Sequence, residues 1–323
     1  MNNETIKLVP NRLKSFPVTM FAIVMGLAGL SLVYGKAYEV LGINKIFYQI
    51  LSYFTILIFF IILITYFRKM MNFHEEVKEE FYHPIRINFF AAISISFILV
   101  SMLFKPLNIQ ISLSLFTVGT VLQLFFTFHT FIFWINASLN IHQSNPAWFI
   151  PIIGNLVIPI AGIDFLSNNV LMYFFSIGVF FWIIMFSIIL NRIIFHDQFA
   201  QKFMPTLFIL IAPPTVALLA YYNLTNSLDV FSIVLFNLGL FFTFLLFFMY
   251  KKFLKIKFFI SWWAFTFPLA SMTVSTLLIY SINKEIVYFY LSYFFIVSTT
   301  CIVGLVAINT LKHIVKKEIY IME

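Results

Sequence analysis

The densest run of chemically capable side chains is His74-Glu75-Glu76-Val77-Lys78-Glu79-Glu80-Phe81-Tyr82-His83. Histidines and carboxylates this close together are the raw material of a metal site. The acidic residues, however, recur at i,i+4, which suits a solvated helix end better than a ligand shell. Elsewhere reactive groups are sparse. Cys301 is the single cysteine, which excludes an intramolecular disulfide and any multi-cysteine metal site. The chain has no Walker-type phosphate loop and no H-E-x-x-H pair. His129 is the one histidine inside an apolar run, where a structural hydrogen bond to a carbonyl is favoured over a proton relay. No catalytic constellation, cofactor or metal is expected, and the chain is not read as an enzyme.

The carboxylates are Glu4, Glu39, Glu75, Glu76, Glu79, Glu80, Asp164, Asp197, Asp229, Glu285, Glu318 and Glu323, and all of them fall in loops, tails or the ends of apolar runs. Inside those runs the polarity is uncharged: Asn88, Ser94, Ser96, Asn155, Thr215, Thr266, Ser271, Thr273 and Ser275. Proton-coupled carriers usually embed Asp, Glu or His, and cation channels commonly use carboxylate rings. Hydroxyl and amide groups with frayed helix ends can instead solvate an anion without trapping it. Ordinary hydrogen bonding between helices explains any one of these residues equally well.

The elements that carry these residues follow from composition. Hydrophobic residues make up 62% of the 323 and charged residues 10%, against roughly 45–50% and about 25% in soluble domains. So few charges cannot coat a soluble fold of this length, so the chain is an all-α integral membrane protein. A spanning helix needs about 20 apolar residues. Ten such runs occur, near 16–34, 46–67, 84–104, 113–135, 146–163, 170–190, 205–222, 229–249, 261–280 and 287–308. They are continuously apolar rather than alternating, which favours helices over barrel strands. The first run is too long for a signal-peptide core and no A-x-A site follows, so it is read as a retained helix.

A net charge of +8 raises the prospect of nucleic acid, but its distribution decides against that. Sixteen Lys and Arg fall on the side of the N-terminus, the loops after even-numbered runs and the C-terminus. Only Lys36, Lys45, Lys105 and Lys284 fall opposite. The positive-inside rule then places both termini in the cytoplasm. Lys251–Lys257 is the strongest candidate for contact with anionic lipid headgroups.

Odd and even runs differ. Pro17, Pro84, Pro146, Pro151, Pro159, Pro205, Pro213, Pro214 and Pro268 all lie in odd runs, and the even runs have no proline. Phenylalanine goes the other way, with 10 in the odd runs and 26 in the even. Small residues allow close helix approach, and proline frees a carbonyl that must be buried in protein or face water. This predicts two layers: inner odd helices and outer, lipid-facing even helices. Pro17, Pro84, Pro146 and Pro205 each open a run at spacings of 67, 62 and 59 residues, consistent with a helical-hairpin repeat used five times.

Five local runs, in register, resemble the tellurite-resistance and dicarboxylate transporter family, which includes TehA and the plant guard-cell slow-type anion channel. They are Phe16-Pro17-Val18-Thr19-Met20-Phe21-Ala22 continuing through Gly26 and Gly29, His83-Pro84-Ile85-Arg86-Ile87-Asn88 with the preceding Phe73–Val77, Asn145-Pro146 with Gly154-Asn155, Ala212-Pro213-Pro214-Thr215, and Trp262-Trp263-Ala264-Phe265-Thr266-Phe267-Pro268 through Ser271. The resemblance implies a pore ringed by the odd helices and assembly as a homotrimer. It also implies a phenylalanine gate at Phe267, with Pro268 setting the ring's angle. Phe21, Ala22, Gly26, Asn88, Asn155, Thr215, Pro268 and Ser271 become pore-lining candidates. Two positions depart from the family pattern: Ala22 stands where bacterial relatives tend to have glycine facing the gate, and Val24 where some have proline.

These readings converge on an anion channel gated by Phe267, passing small inorganic anions or small carboxylates, in a bacterial inner membrane. The other reading is a coupled carrier for C4-dicarboxylate, tellurite or sulphite. Residues 16–311 form the channel domain, flanked by cytoplasmic tails 1–15 and 312–323. Arg86 is assigned to the cytoplasmic mouth, where it raises local anion concentration, anchors the orientation or pairs with a loop carboxylate. Partners are the anion, membrane lipid and two further copies of the chain, without nucleic acid.

Overall fold

A computed structural model describes residues 12–316; Glu4, Lys7, Lys317, Glu318 and Glu323, and with them most of both tails, lie outside that range. Helices are the regular elements of the described residues, which contain no strand. The long elements are α1 (Val18–Leu41), α2 (Lys45–Asn72), α3 (Arg86–Phe104), α4 (Ile109–Asn136), α5 (Pro146–Gly162), α6 (Asn168–Phe195), α7 (Gln201–Thr225), α8 (Val230–Phe248), α9 (Ile260–Asn283) and α10 (Ile286–Val315). Nine of them are long and apolar enough to cross a membrane, and α5 is shorter. It starts at Pro146 with Asn145 as its cap, and ends at Gly162.

The odd and even helices meet different surroundings. In the apolar stretches of α1, α3, α7 and α9, 72–83% of residues are buried, against 28–39% in the even helices. All but one residue of the α-helical part of α5 is buried. The phenylalanine-rich even helices therefore face outward, with Phe54, Phe125, Phe180 and Phe241 among their exposed rings. Each odd helix pairs with the even helix that follows it. The odd helices also pack on one another in sequence, and α9 packs on α1. Each even helix further touches the next odd one, and α10 touches α1.

Backbone chemistry explains the hairpins. At one face, α1, α7 and α9 end on Gly42, Asn226 and Lys284, all in the left-handed region, which closes a helix sharply. Asn44, Asn108 and Asp229 then cap α2, α4 and α8 by accepting backbone N–H groups. At the other face every odd helix begins in 3-10 form: Val18–Met20, Arg86–Phe90, Pro146–Phe149, Gln201–Ile211 and Ile260–Phe265. Most of the described Lys and Arg lie at this second face, here termed the basic face.

The prolines inside the odd runs mark a change of helix form, and one expectation needs correcting. Pro151, Pro213, Pro214 and Pro268 sit in the first turn of the α-helical part, where the chain leaves 3-10 geometry. At that junction the hydrogen-bond pattern changes from i→i−3 to i→i−4, which is where a missing N–H is tolerated. Pro159 lies inside the α-helical part of α5 and Pro205 inside the 3-10 part of α7. The segment after α2 does form a short helix, His74–Phe81, but it is not solvated all round. Glu80 is 4% exposed and Lys69, in the last turn of α2, is 2% exposed. They pair at 3.1 Å, Tyr66 donates to Glu80 Oε2 at 2.9 Å, and Lys69 donates to the Phe16 carbonyl at 2.9 Å. A buried charge needs a partner, and this one joins α2, the short helix and the entrance to α1.

Candidate functional site

Three cavities follow one another, lined mostly by the odd helices. The first, about 90 Å3, opens at the basic face and is lined by Thr19, His83, Arg86, Phe89, Lys202 and Ser261. The second, about 50 Å3, shares Thr19, Phe89 and Ser261 with the first and continues past Ala22, Ala92 and Ile209. Its lining is almost wholly apolar. The third is larger, about 640 Å3, and carries Lys36, Lys45 and Lys105.

One residue belongs to both the second and the third cavity: Phe267. It follows directly on the 3-10 segment Ile260–Phe265, in the first turn of the α-helical part of α9. Its ring packs beside Gly29 of α1. A Cβ at Gly29 would stand 2.8 Å from the Ala270 methyl and 3.5 Å from Phe267 Cδ2, so glycine is what lets α1 and α9 approach at the ring. Pro268 lines the second cavity and Ser271 the third. The Ser271 hydroxyl lies 2.7 Å from that of Thr215, tying α9 to α7 just beyond the ring.

The mouth is electropositive. Arg86 and Lys202 line it, and among the described residues neither forms an ion pair. The starts of all five odd helices lie at this face, with the positive ends of their dipoles. His83 Nδ1 accepts the backbone N–H of Ile85 at 3.1 Å and of Arg86 at 3.3 Å. Burial first, and then the charges of Arg86 and Lys202, pull the His83 imidazole below the ordinary histidine range.

Of the candidates read from the sequence, Phe267, Ala22, Pro268, Ser271 and Arg86 thus line this succession of cavities. The others lie elsewhere. Phe21 is fully buried with its ring edge-on to Tyr66. Gly26 packs against Thr266 and Trp263 at the α1–α9 contact. Asn88 donates to the Ile85 carbonyl at 3.1 Å. Asn155 donates to Pro151 at 2.9 Å and to the Thr127 hydroxyl at 3.0 Å. Thr215 bonds within its own helix, to the Ile211 carbonyl at 2.9 Å, as well as to Ser271. His83, Lys202 and Gly29 also line these cavities. His83 and Gly29 fall within the quoted motifs, and nothing in its local sequence marks Lys202.

The sequence profile of the voltage-dependent anion channel family SLAC1 matches residues 15–311. The chain belongs to the SLAC1 family. An uncharacterized transporter of Methanocaldococcus jannaschii is 29% identical over 298 residues, covering 84% of this chain and 86% of that protein. The tellurite resistance protein TehA homolog of Haemophilus influenzae is 26% identical over 316 residues, 96% and 95% of the two chains. The S-type anion channel SLAH2 of Arabidopsis thaliana is 26% identical over 275 residues, 81% of this chain. The chain spans about half the length of that plant channel, 52%. As a SLAC1-family protein it is an integral membrane protein of a group of anion channels and transporters rather than of enzymes.

Proposed function

We propose that the five odd helices form a ring and that their succession of cavities is an anion pathway through each protomer, closed at Phe267. The observation that carries this is the position of Phe267 in both the second and third cavities. An aromatic ring between two spaces is a steric block, and the apolar walls beside it favour dewetting. Arg86 and Lys202 concentrate anions at the mouth. The basic face is the cytoplasmic one, by the distribution of Lys and Arg, with residues 16–311 as the transmembrane domain between cytoplasmic tails 1–15 and 312–323. The assembly is a homotrimer, as the resemblance implies, and the membrane is the bacterial inner membrane. The passing species are small inorganic anions or small carboxylates: basic side chains line the outer cavities, while the apolar, uncharged lining of the second cavity offers little to discriminate among anions.

The test is anion flux into proteoliposomes at fixed membrane potential, with and without a proton gradient. A channel moves chloride, nitrate and malate down their electrochemical gradients whatever the proton gradient. Uptake of malate, tellurite or sulphite that requires a proton gradient and carries no net current would establish the coupled carrier instead.

A further inference from the structure

We infer that the groove between α1, α2 and α10 is a binding site for one anionic phospholipid of the basic-face leaflet. The groove holds about 440 Å3, within the ~300–1,000 Å3 range of specific small-molecule sites. Its walls are aliphatic and aromatic, including Ile23 and Leu27 of α1, Ile58 of α2 and Leu311 of α10. Phe54, Ile61, Leu311 and Ile314 at its sides are exposed, so it opens outward where the protein meets lipid.

Length and charge select the occupant. On α2 the lining runs from Thr65, near the basic face, to Phe54. At 1.5 Å per residue that is about 16 Å, and half of a ~30 Å hydrocarbon core is about 15 Å. The groove is therefore as deep as one leaflet, the reach of an acyl chain. Arg12 lines it together with Leu13 and Phe16, just before α1 begins at that same face. A guanidinium at headgroup level beside an apolar slot is complementary to a phosphate-bearing, net-negative headgroup.

The floor connects this site to the anion pathway. Trp263 lines both the groove and the second cavity, and its indole Nε1 donates to the Thr310 hydroxyl of α10 at 2.9 Å. An acyl chain in the groove therefore lies against a side chain whose other edge bounds the space beside Phe267. Lipid occupancy itself depends only on the groove, so its test stands apart from that of the gate.

Native mass spectrometry of the full chain, released from micelles doped with phosphatidylglycerol or phosphatidylcholine, counts the bound lipid. The wild type is expected to retain one phosphatidylglycerol per protomer in preference to phosphatidylcholine. Arg12→Gln should lower that preference about five-fold, the weight of one basic residue near an anionic surface. Ile58→Trp and Leu311→Trp fill the slot from opposite walls and should each abolish retention; Leu311 is 62% exposed, so its variant keeps the fold. Equal retention of both lipids, or unchanged retention in Leu311→Trp, overturns the inference. So does cysteine crosslinking through Leu311→Cys that joins two copies across the groove, because the occupant is then a second chain.

Discussion

Replacing Lys69 by methionine isolates the buried ion pair at the basic face. Lys69 and Glu80 side chains are 2% and 5% exposed, and their charged atoms stand 3.1 Å apart. At an effective dielectric of about 20, two unit charges at that distance attract by about 5 kcal/mol, an attraction offset by the several kcal/mol that desolvating each ion costs. The pair as a whole is therefore near break-even, but either charge alone is not. In Lys69→Met the Glu80 carboxylate keeps only the Tyr66 hydroxyl, and the Phe16 carbonyl loses the ammonium donor. Removing one partner of such a pair costs about 3–5 kcal/mol. Lys69→Met and Glu80→Leu should each lose that much, whereas Lys69→Met with Glu80→Leu should lose less than either single change. Denaturant titration in micelles, followed by circular dichroism, gives the three values. Single losses under about 1 kcal/mol, or a double loss equal to their sum, would refute the reasoning, since the first means water reaches the pair and the second means the two charges do not interact.

Gly154→Ala should destabilise by about 1–3 kcal/mol through overpacking. The new Cβ would fall 2.2 Å from Gln123 Oε1, in an amide that accepts from Ser94 at 2.6 Å and donates to the Pro151 carbonyl at 2.8 Å. The same titration in a Gln123→Ala background should show a smaller loss. At the mouth, Arg86→Gln should reduce anion flux at low salt more than at high salt, because the attraction it removes is screened, and should raise the His83 titration midpoint measured by NMR. The folded state depresses that midpoint, so the folded protein binds fewer protons than the unfolded chain. The stability this contributes is full above the unfolded value near pH ~6.5 and is lost as pH falls through the depressed one. Hydrogen-exchange protection of the Ile85 and Arg86 amides, relative to unstructured amides at the same pH, should fall over that window, as a protonated Nδ1 no longer accepts their N–H groups.

The layering of this protein was legible in two residue types. Phenylalanine can face lipid at no cost, so it accumulates on α2, α4, α6, α8 and α10. Proline needs protein around its freed backbone groups or a position in a first turn, so it gathers on the odd helices. Polarity proved a poor guide to the cavity lining. Asn88, Asn155 and Thr215 are polar and on odd helices, yet their side chains bond to carbonyls and hydroxyls packed among the helices. With no water in the hydrocarbon, an embedded polar group seeks a protein partner first. The second cavity is lined by Ala22, Ala92, Ile209 and their neighbours, residue types that a packed core uses as well. Phe267 could not be chosen from 45 phenylalanines by composition, and only the resemblance singled it out. The pairing of Lys69 with Glu80 is hidden in the sequence for a different reason. They are eleven residues apart across a turn, and their pairing depends on how the short helix folds back on α2.

The most direct measurement of the central claim is the anion current of Phe267→Ala in planar bilayers, recorded in a chloride gradient. If Phe267 closes the pathway, the current should exceed the wild type by about ten-fold or more, each 1.4 kcal/mol of barrier removed giving a factor of ten, and its reversal potential should follow chloride. A folded Phe267→Ala protein that stays silent, or one whose current reverses with the cation gradient, would contradict the account.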